Sequence, residues 1–541
     1  MNAKNKDKQP GYPEYRPISK DNQWPERGSW YLWISVIVLT VVALITRSPG
    51  LDPPSLFIDD LWQGLLSSMP LGDQIRLRSS SPIGFTALLG AALRLIPAPE
   101  LSLQVAPFLA GLALIPVMAL TVFRLTKSPP ASILAAALVT WAPLLGPLSI
   151  RVKHYTLDAL LVAILLLLTI LAGENKNRFP ALAAAALIFC LFSFSSALVA
   201  VLLIGAFAFT HLRRPLATPE NRRVLVYLTM FIAGTVLLYV VVLKSQKNAT
   251  LENFWLDYFP DSYPDFLTGL FALFQGLVPS FDFLPTPMGA IWRHLLAVVF
   301  IGLAAYGTVS LISRPDRRWL GIGVLLVYPV LGVVAVLHLY PLGGGRTDLF
   351  TYPVTVLLIS CGFGRLCNQA AQQRFRIDHL TLICAVTALI FCIPSSARTE
   401  IQYPQGGNLP EMVARAEKAL RPSDGLVILP HCSFCFAFYS DWPVSLEPCD
   451  FYATGFSPVI HHPGVHILPG RKGYNAHPEI LAPELGAIIR REYSRLIFFT
   501  MDIDASDYIQ DHFIRAGYYP VRKIENQAII SIVVYQRHQK K

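Results

Sequence analysis

Long apolar segments constrain this chain more than any other feature. A run of about 17 to 25 apolar residues has the length that crosses a bilayer as a helix, and such runs recur from residue 30 to residue 397. Only helices and closed barrels satisfy their backbone polar groups inside lipid. We therefore expect an α-helical polytopic membrane protein with about eleven transmembrane helices, at 30–46, 104–123, 130–149, 157–173, 180–195, 197–212, 224–243, 291–312, 319–337, 349–364 and 379–396.

Basic residues indicate how these helices are oriented. The formal charge is +10, and the Lys and Arg residues cluster in short loops between apolar segments, which favours membrane topology over nucleic-acid binding as their explanation. All these loops share the side of the N-terminal tail if 82–96 does not cross the membrane. We expect 60–69 and 82–96 to lie along the membrane surface. The predicted external segments are 47–103, 150–156, 244–290, 338–348 and everything after 397.

The composition changes near residue 397 to that of a soluble domain. The runs "GLVIL", "RLIFFTM" and "AIISIVVY" predict buried strands, and 478–492 and 505–516 predict helices between them. We expect three parts: a cytoplasmic tail at 1–29, a transmembrane domain at 30–396, and an exported soluble α/β domain at 397–541.

The interiors of the predicted spans contain almost no Asp, Glu, Lys or Arg. Proton- or ion-coupled transporters usually place ionisable side chains near the middle of the membrane, because the coupled charge is handled there. Here the polar chemistry lies in the external loops. This pattern favours an enzyme that acts at the membrane surface over a transporter.

Two adjacent carboxylates, Asp59 and Asp60, begin the first predicted surface helix. Asp60 with Gln63 resembles a capping box, and acidic side chains are stabilised at a helix N-terminus. A carboxylate at the water edge of a bilayer also suits general-base catalysis. The sequence leaves both explanations open.

Positive side chains on the external side are unexpected, since basic residues favour the cytoplasmic side. In "SIRVKHYTLDALL", interfacial anchoring explains Arg, Lys and Tyr at a helix end, but two cations beside a His favour a bound anion such as phosphate. "HLYPLGGGRTDLFTYP" adds another external Arg after three glycines, which allow close backbone approach. The candidate binding residues are Arg151, Lys153, His154, Tyr155, Asp158 and Arg346.

Three cysteines lie in the predicted exported domain, where oxidation is possible. Cys432 and Cys435 form one Cys-x-x-Cys pair, and Cys449 follows. A zinc site is disfavoured because there is no second pair. We expect one disulfide that involves Cys449.

The three external clusters, if they meet in one cavity, supply a carboxylate, several cations, and surface helices that can embrace a lipid tail. Transfer of a sugar from a lipid-linked donor needs these parts. A carboxylate takes the proton of the attacking hydroxyl, and Arg and Lys stabilise the lipid phosphate as it leaves.

The same elements, in order and spacing over most of residues 30–400, resemble the polytopic GT-C-type glycosyltransferases that use polyprenyl-phosphate sugars. This superfamily includes the dolichyl-phosphate-mannose protein mannosyltransferases and the bacterial lipid A aminoarabinose transferase. The resemblance is carried by the acidic pair, the following "SPIGF", a Lys-x-Tyr-x-x-Asp element and "GGGRTDLFTYP".

The resemblance implies a role for individual residues. Members typically carry Asp-Glu in the first loop, with the Asp as catalytic base, which implies Asp59 as the base. Asp60 replaces the Glu, so which of the two acts stays open. The resemblance further implies that Lys153 and Tyr155 line the donor site, that Asp158 supports it, and that Arg346 lies near the donor phosphate.

The resemblance also implies a multi-pass protein of the inner (plasma) membrane with its active site outside the cytoplasm. The expected partners are a polyprenyl-phosphate-linked sugar donor, membrane lipid, and an envelope lipid, glycan or protein as acceptor. Because related enzymes with monophosphate donors generally work without a divalent metal, we expect no metal and no other cofactor. The alternative is a non-catalytic protein of the same architecture that binds lipid-linked sugars, or a flippase.

Overall fold

The computed structural model describes most of the chain from residue 29 onward. The described ranges are 29–212, 218–241, 262–279, 286–372, 408–449, 454–470, 477–501, 504–525 and 530–538. Within these ranges, positions 52, 54, 78, 343 and 344 are not described. Outside them, the structure also describes the single positions 259, 381, 383, 384, 386 and 387. The predicted tail at 1–29 and the predicted span at 379–396 lie almost wholly outside these residues.

Helices are the regular secondary structure of the described residues up to 372, as the apolar segments predict. In chain order they are α1 Ser29–Arg47, α2 Ile58–Ser68, α3 Leu71–Arg76, α4 Ile83–Leu95, α5 Pro99–Thr126, α6 Pro129–Trp141, α7 Leu145–Ser149, α8 Tyr155–Glu174, α9 Phe179–Phe192, α10 Phe194–Leu212, α11 Pro219–Val241, α12 Tyr263–Gln275, α13 Thr286–Ile312, α14 Arg318–Val336 and α15 Tyr352–Gln372. Short 3-10 turns at Ser48–Gly50, Lys176–Arg178 and Thr347–Thr351 join some of them.

Seven helical segments in the described part of the chain are long and apolar enough to cross a membrane, so the chain is a multi-pass membrane protein. The predicted count of eleven is not confirmed. Apolar helices at Ile83–Leu95, Pro129–Trp141 and Phe194–Thr210 are shorter. The seven segments are Trp30–Gly50, Pro99–Thr126, Tyr155–Glu174, Asn221–Val241, Pro287–Ile312, Arg318–Val336 and Thr347–Ala371.

One predicted span, 130–149, is divided in the structure. Helix α6 ends at Trp141, and Ala142 has an extended ψ of 119°. Pro143 explains the break, because a proline disfavours helical backbone at the residue before it and has no N–H to donate. The chain resumes as the five-residue α7. Residues 150–154 follow α7 and lead into the N-terminal end of α8.

The C-terminal part folds around a five-stranded sheet. Its strands are β1 Asp424–Ile428, β2 Val444–Pro448, β3 Phe456–Ile460, β4 Val465–Ile467, β5 Arg495–Met501, β6 Tyr518–Glu525 and β7 Ile530–Arg537. The order is β4-β1-β5-β7-β6, with β2 and β3 as a separate antiparallel pair. Helices α16 Leu409–Ala419, α17 Pro430–Tyr439, α18 Ala482–Ile489 and α19 Asp504–Arg515 accompany the strands. The predicted α/β character and the three predicted strands are confirmed.

The C-terminal domain packs directly on the first loop. Leu61, Leu65 and Phe85 share one buried apolar cluster with Phe436 of α17. The backbone N–H of Leu56 also donates to the hydroxyl of Tyr439 at 3.0 Å. Helix α2, which begins with the acidic pair, therefore lies against both α4 and the C-terminal domain.

The predicted disulfide is wrong. Cys432 and Cys435 are buried free thiols on α17, and Cys449 is a half-buried free thiol. Burial raises the pKa of the Cys432 and Cys435 thiols well above the ordinary value of 9.0. These two cysteines act as small apolar side chains in the core of the domain.

Candidate active site

The acidic pair lies in the first turn of α2, but neither carboxylate caps the helix. The N-cap residue is Phe57, and no side chain bonds the free N–H groups there. Gln63 does not complete a capping box, because its amide donates instead to Thr86 Oγ1 of α4 at 3.1 Å. The capping interpretation is therefore wrong, and each carboxylate has another partner.

Asp60 is fully buried and bound by Arg151. The guanidinium donates through Nε to Oδ2 at 2.7 Å and through Nη2 to Oδ1 at 3.0 Å, while the backbone N–H of Val152 donates to Oδ2 at 3.2 Å. Such a two-point bond fixes the plane of an arginine as well as its position. One face of the guanidinium lies over Phe57, with Cζ 4.1 Å from the ring centroid. Asp60 therefore holds Arg151 in one orientation.

Asp59 is 43 % exposed and lies among three cations. Its Oδ2 is 3.1 Å from Lys153 Nζ, 3.6 Å from Arg151 Nη2 and 3.8 Å from Arg346 Nη1. The Lys153 ammonium also donates to the backbone carbonyl of Asp59 at 2.7 Å. Residues separated by almost three hundred positions thus meet at one carboxylate, as the shared-cavity hypothesis predicts.

Two segments bring these cations to α2. The buried Gln104 of α5 donates to the carbonyl of Ile150 at 2.7 Å and to that of Gly50 at 3.4 Å. It thereby joins the loop that carries Arg151 to the segment that leads into α2. Arg346 follows Gly345, whose φ of +73° is a left-handed conformation that glycine adopts without strain.

Arg47 is a second buried residue that supports this end of the bundle. It is 2 % exposed and lies at the last position of α1. Its guanidinium donates to the carbonyls of Gly111, Val139 and Thr140 at 3.2 to 3.3 Å. The last two carbonyls belong to the final turn of α6, where a cation is favoured by the helix dipole.

The remaining predicted residues form a neighbouring group. His154 Nδ1 lies 2.8 Å from Asp158 Oδ2, and the His154 ring is 5.0 Å from that of Tyr155. Asp158 is 2 % exposed. This contact fixes the position of the imidazole, which follows Lys153 in the chain.

Trp62 is a site residue that the sequence analysis missed. Its indole Nε1 donates to Asp59 Oδ1 at 3.3 Å, and Lys153 Nζ lies 4.4 Å from its ring centroid. The signal was present in the i, i+3 spacing of Asp59 and Trp62, because residues three apart share one face of a helix. Gln104 and Arg47 had no comparable signal, since their partners are distant carbonyls.

The charges of the site do not cancel. Arg151, Lys153 and Arg346 face two carboxylates, Asp59 and Asp60, so these five groups carry one net positive charge. Burial raises the pKa of Asp59, but the attraction of Lys153, Arg151 and Arg346 outweighs it and leaves that pKa below the ordinary 3.8. Burial lowers the pKa of Lys153 below the ordinary 10.5, although Asp59 and Asp60 oppose the change.

This arrangement suits a singly charged anion and a proton transfer. A phosphodiester brings the one negative charge that the five groups lack. The half-exposed Asp59 presents an ionised carboxylate at the same place, in reach of a hydroxyl group that enters from solvent. Among the described residues, no group of three or more His, Cys, Asp or Glu side chains is placed to hold a metal ion.

Comparisons with known proteins give a similarity of structure without a similarity of sequence. No family model matches the chain, and no curated protein sequence matches it. Two solved structures of ArnT from Cupriavidus metallidurans do resemble it. The complex with undecaprenyl phosphate has a TM-score of 0.52 at 11% identity, with 93% of this chain and 98% of that chain covered.

The apo state of the same ArnT gives a TM-score of 0.53 at 11% identity, with 93% of this chain and 97% of that chain covered. The similarity therefore includes both the helical part and the C-terminal domain. The chain thus has a fold similar to that of ArnT over nearly its whole length.

Proposed function

We propose that this protein is a membrane glycosyltransferase that moves a single sugar from a polyprenyl-phosphate donor to an envelope lipid, glycan or protein. The proposal is supported by the ArnT-like fold over nearly the whole chain. The observation that carries it is the half-exposed Asp59 carboxylate, held 3.1 to 3.8 Å from three cations that come from distant segments.

Asp59 is the catalytic base in this proposal. Asp60 is poorly suited to that role, because it is fully buried and both its oxygens accept hydrogen bonds from Arg151. Asp60 instead orients Arg151 for the donor. The exposure of Asp59 and the burial of Asp60 therefore favour Asp59 as the base, a choice that the sequence left open.

The reaction is a direct displacement at the anomeric carbon. The acceptor hydroxyl oxygen forms a bond to that carbon as Asp59 takes the hydroxyl proton. The bond between the anomeric carbon and the phosphate oxygen breaks, and its electron pair leaves with the polyprenyl phosphate. Arg151, Lys153 and Arg346 stabilise the charge that develops on the leaving phosphate. His154, Tyr155 and Asp158 complete the donor site beside Lys153.

The cations also connect donor binding to the basicity of Asp59. Without donor, they lower the pKa of Asp59 and make it a weak base. A bound phosphate shares the same cations and adds negative charge nearby, and both effects raise the pKa of a carboxylate. Asp59 is therefore a stronger base when donor occupies the site.

The location of the site follows from the charge pattern of the loops. We place the active site and a C-terminal domain at 397–541 on the external side of the inner membrane, with the transmembrane domain at 30–396 and the tail at 1–29 in the cytoplasm. The ArnT complex contains undecaprenyl phosphate, and a polyprenyl chain of this kind stays in the bilayer while its sugar reaches the aqueous edge. We propose that no divalent metal takes part, because three side-chain cations already face the position of the phosphate.

Transfer from a panel of radiolabelled polyprenyl-phosphate sugars tests the proposal. We expect purified protein in proteoliposomes, supplied with an extract of envelope lipids, glycans and proteins as acceptors, to transfer label from one of these donors. We expect Asp59→Asn to bind that donor without transferring the sugar. Movement of an intact lipid-linked sugar between leaflets, with no transfer and no effect of Asp59→Asn, would instead identify a flippase and refute the proposal.

A further inference from the structure

Trp62 lies on the same face of α2 as Asp59, one turn later. Its Nε1 donates to one carboxylate oxygen of Asp59, Oδ1, at 3.3 Å. The other oxygen, Oδ2, faces Lys153 at 3.1 Å. With both oxygens engaged, the carboxylate plane is fixed, and the lone pairs that accept a proton point in one direction.

The face of the Trp62 ring also contacts Lys153, the cation that pairs with Asp59. Lys153 Nζ lies 4.4 Å from the ring centroid, a distance at which an ammonium is attracted to the negative face of an indole. Lys153 is almost completely buried. Trp62 therefore contacts both the proposed base and a proposed phosphate ligand.

The C-terminal domain contacts the same ring. Phe456 of β3 lies 6.3 Å from Trp62, with an interplanar angle of 63°. Phe456 is fully buried, and Phe434 of α17 packs edge-on against it at 5.8 Å. The Trp62 ring is thus placed between the active site and the apolar core of the C-terminal domain.

We propose that Trp62 is a positioning residue through which the packing of the C-terminal domain sets the orientation of the Asp59 carboxylate and the Lys153 ammonium. This inference rests on the proposed function, because it assigns Trp62 a task in that same site. It gives the C-terminal domain a role in the transfer step itself, beyond covering the membrane domain.

Two substitutions at Trp62 separate its two contacts. Trp62→Phe removes the N–H donor but keeps a ring for Lys153 and Phe456, whereas Trp62→Leu removes both. We expect Trp62→Phe to lower kcat about tenfold without changing the KM for donor, which is less than the roughly 10²- to 10⁴-fold loss expected without the base. Trp62→Leu additionally raises the KM for donor, because Lys153 loses its support.

The pH dependence of kcat gives a measurement that a merely structural role would not change. The charged groups that face Asp59 are Lys153, Arg151 and Arg346. The titratable Tyr155 also interacts with it electrostatically, and Trp62 adds the hydrogen bond. Loss of a hydrogen bond to the ionised form raises the pKa of a carboxylate, so Trp62→Phe moves the acid limb of kcat to higher pH. An unchanged kcat and an unchanged acid limb in this variant overturn the proposal.

A matched pair of substitutions in the C-terminal domain tests the coupling. Phe456→Leu removes the ring that contacts Trp62, while Phe513→Leu removes an equally buried ring that packs only on Phe498 and Tyr535 among the described ring contacts. We expect Phe456→Leu to move the acid limb in the same direction as Trp62→Phe, and Phe513→Leu to leave it in place. If both variants lose thermal stability and neither moves the limb, the C-terminal domain does not act through Trp62.

Failure of the inference is distinguishable from failure of the proposed function. If the unchanged protein transfers no sugar, or if Asp59→Asn transfers normally, the proposed function is wrong. Binding of radiolabelled undecaprenyl phosphate then still tests the positioning of Lys153, because Trp62→Leu weakens that binding and Trp62→Phe does not. Equal binding by both variants and the unchanged protein refutes the inference by itself.

Discussion

Arg151 binds Asp60 through two hydrogen bonds of 2.7 and 3.0 Å, and the same guanidinium lies 3.6 Å from Asp59. The two neighbouring carboxylates therefore have different environments, because Asp60 is fully buried and Asp59 is half-exposed. In the proposed mechanism Asp60 orients the arginine, and Asp59 is accessible to the acceptor.

This difference predicts different effects of two isosteric substitutions. Asp59→Asn keeps the shape of the side chain but cannot accept the proton, so we expect the protein to fold, bind donor, and lose about 10²- to 10⁴-fold in kcat. Radiolabel transfer and donor binding, measured on the same preparation, check this outcome. Normal transfer by Asp59→Asn would show that the base lies elsewhere.

Asp60→Asn tests the buried partner. The amide cannot accept both bonds from Arg151, and loss of a bond to a buried charged group costs about 1 to 3 kcal/mol. We expect a lower unfolding temperature in detergent, together with a milder loss of transfer as Arg151 changes its orientation. Unchanged stability with complete loss of transfer would reverse the roles of the two carboxylates.

Arg346 is the cation that the segment before α15 supplies to the site. Arg346→Gln removes a charge 3.8 Å from Asp59, so we expect a KM for donor raised about tenfold or more and an unchanged unfolding temperature, since a half-exposed ion pair contributes little stability. Arg94→Gln, at an exposed position on α4, is the matched control and leaves the KM unchanged. Equal KM values for the two variants would place the phosphate away from Arg346.

The lowered pKa of Lys153 predicts an alkaline limb in kcat/KM. The ammonium is needed in its charged form, so activity falls as pH rises through a pKa that burial holds below 10.5. Between the folded and unfolded pKa values the unfolded chain binds more protons, so this group makes the free energy of unfolding increase with pH. Titration of Lys153 therefore does not cause alkaline unfolding. Lys153→Arg keeps its charge at every accessible pH, so we expect this variant to move the alkaline limb of kcat/KM to higher pH. If the limb stays at the same pH, it reports the titration of a group other than Lys153.

Gly64 allows α17 to approach α2. A Cβ at this position would lie 2.6 Å from Phe438 Cε2 and 2.9 Å from Leu103 Cδ1. We expect Gly64→Ala to cost about 1 to 3 kcal/mol through overpacking, and Phe438→Leu in the same chain to recover part of it. Gly72→Ala on α3 is the control, because a Cβ there meets no atom within 4 Å. Equal unfolding temperatures for Gly64→Ala and Gly72→Ala would mean that α2 and α17 do not pack this closely.

The sequence by itself determined the membrane class, most of the helical segments up to residue 372 and three of the strands of the C-terminal domain. The hydrophobic pattern of a segment depends only on its own residues, and burial in a bilayer or in a sheet requires a characteristic pattern. It also identified the charged residues of the candidate site, because cations in loops predicted to be external and paired carboxylates stand out against an apolar background. It did not determine the number of spans, since a single proline divides 130–149 into α6 and α7.

Only the tertiary structure decided which carboxylate is exposed. Asp59 and Asp60 are adjacent, have the same side chain and begin the same helix, so no local rule separates them. Helical geometry points successive side chains about 100° apart, and the positions of Arg151, Lys153 and Arg346 then decide which one is buried. The proposed role of Trp62 also depends on tertiary structure. Its ring contacts Lys153 and Phe456, which belong to distant parts of the chain.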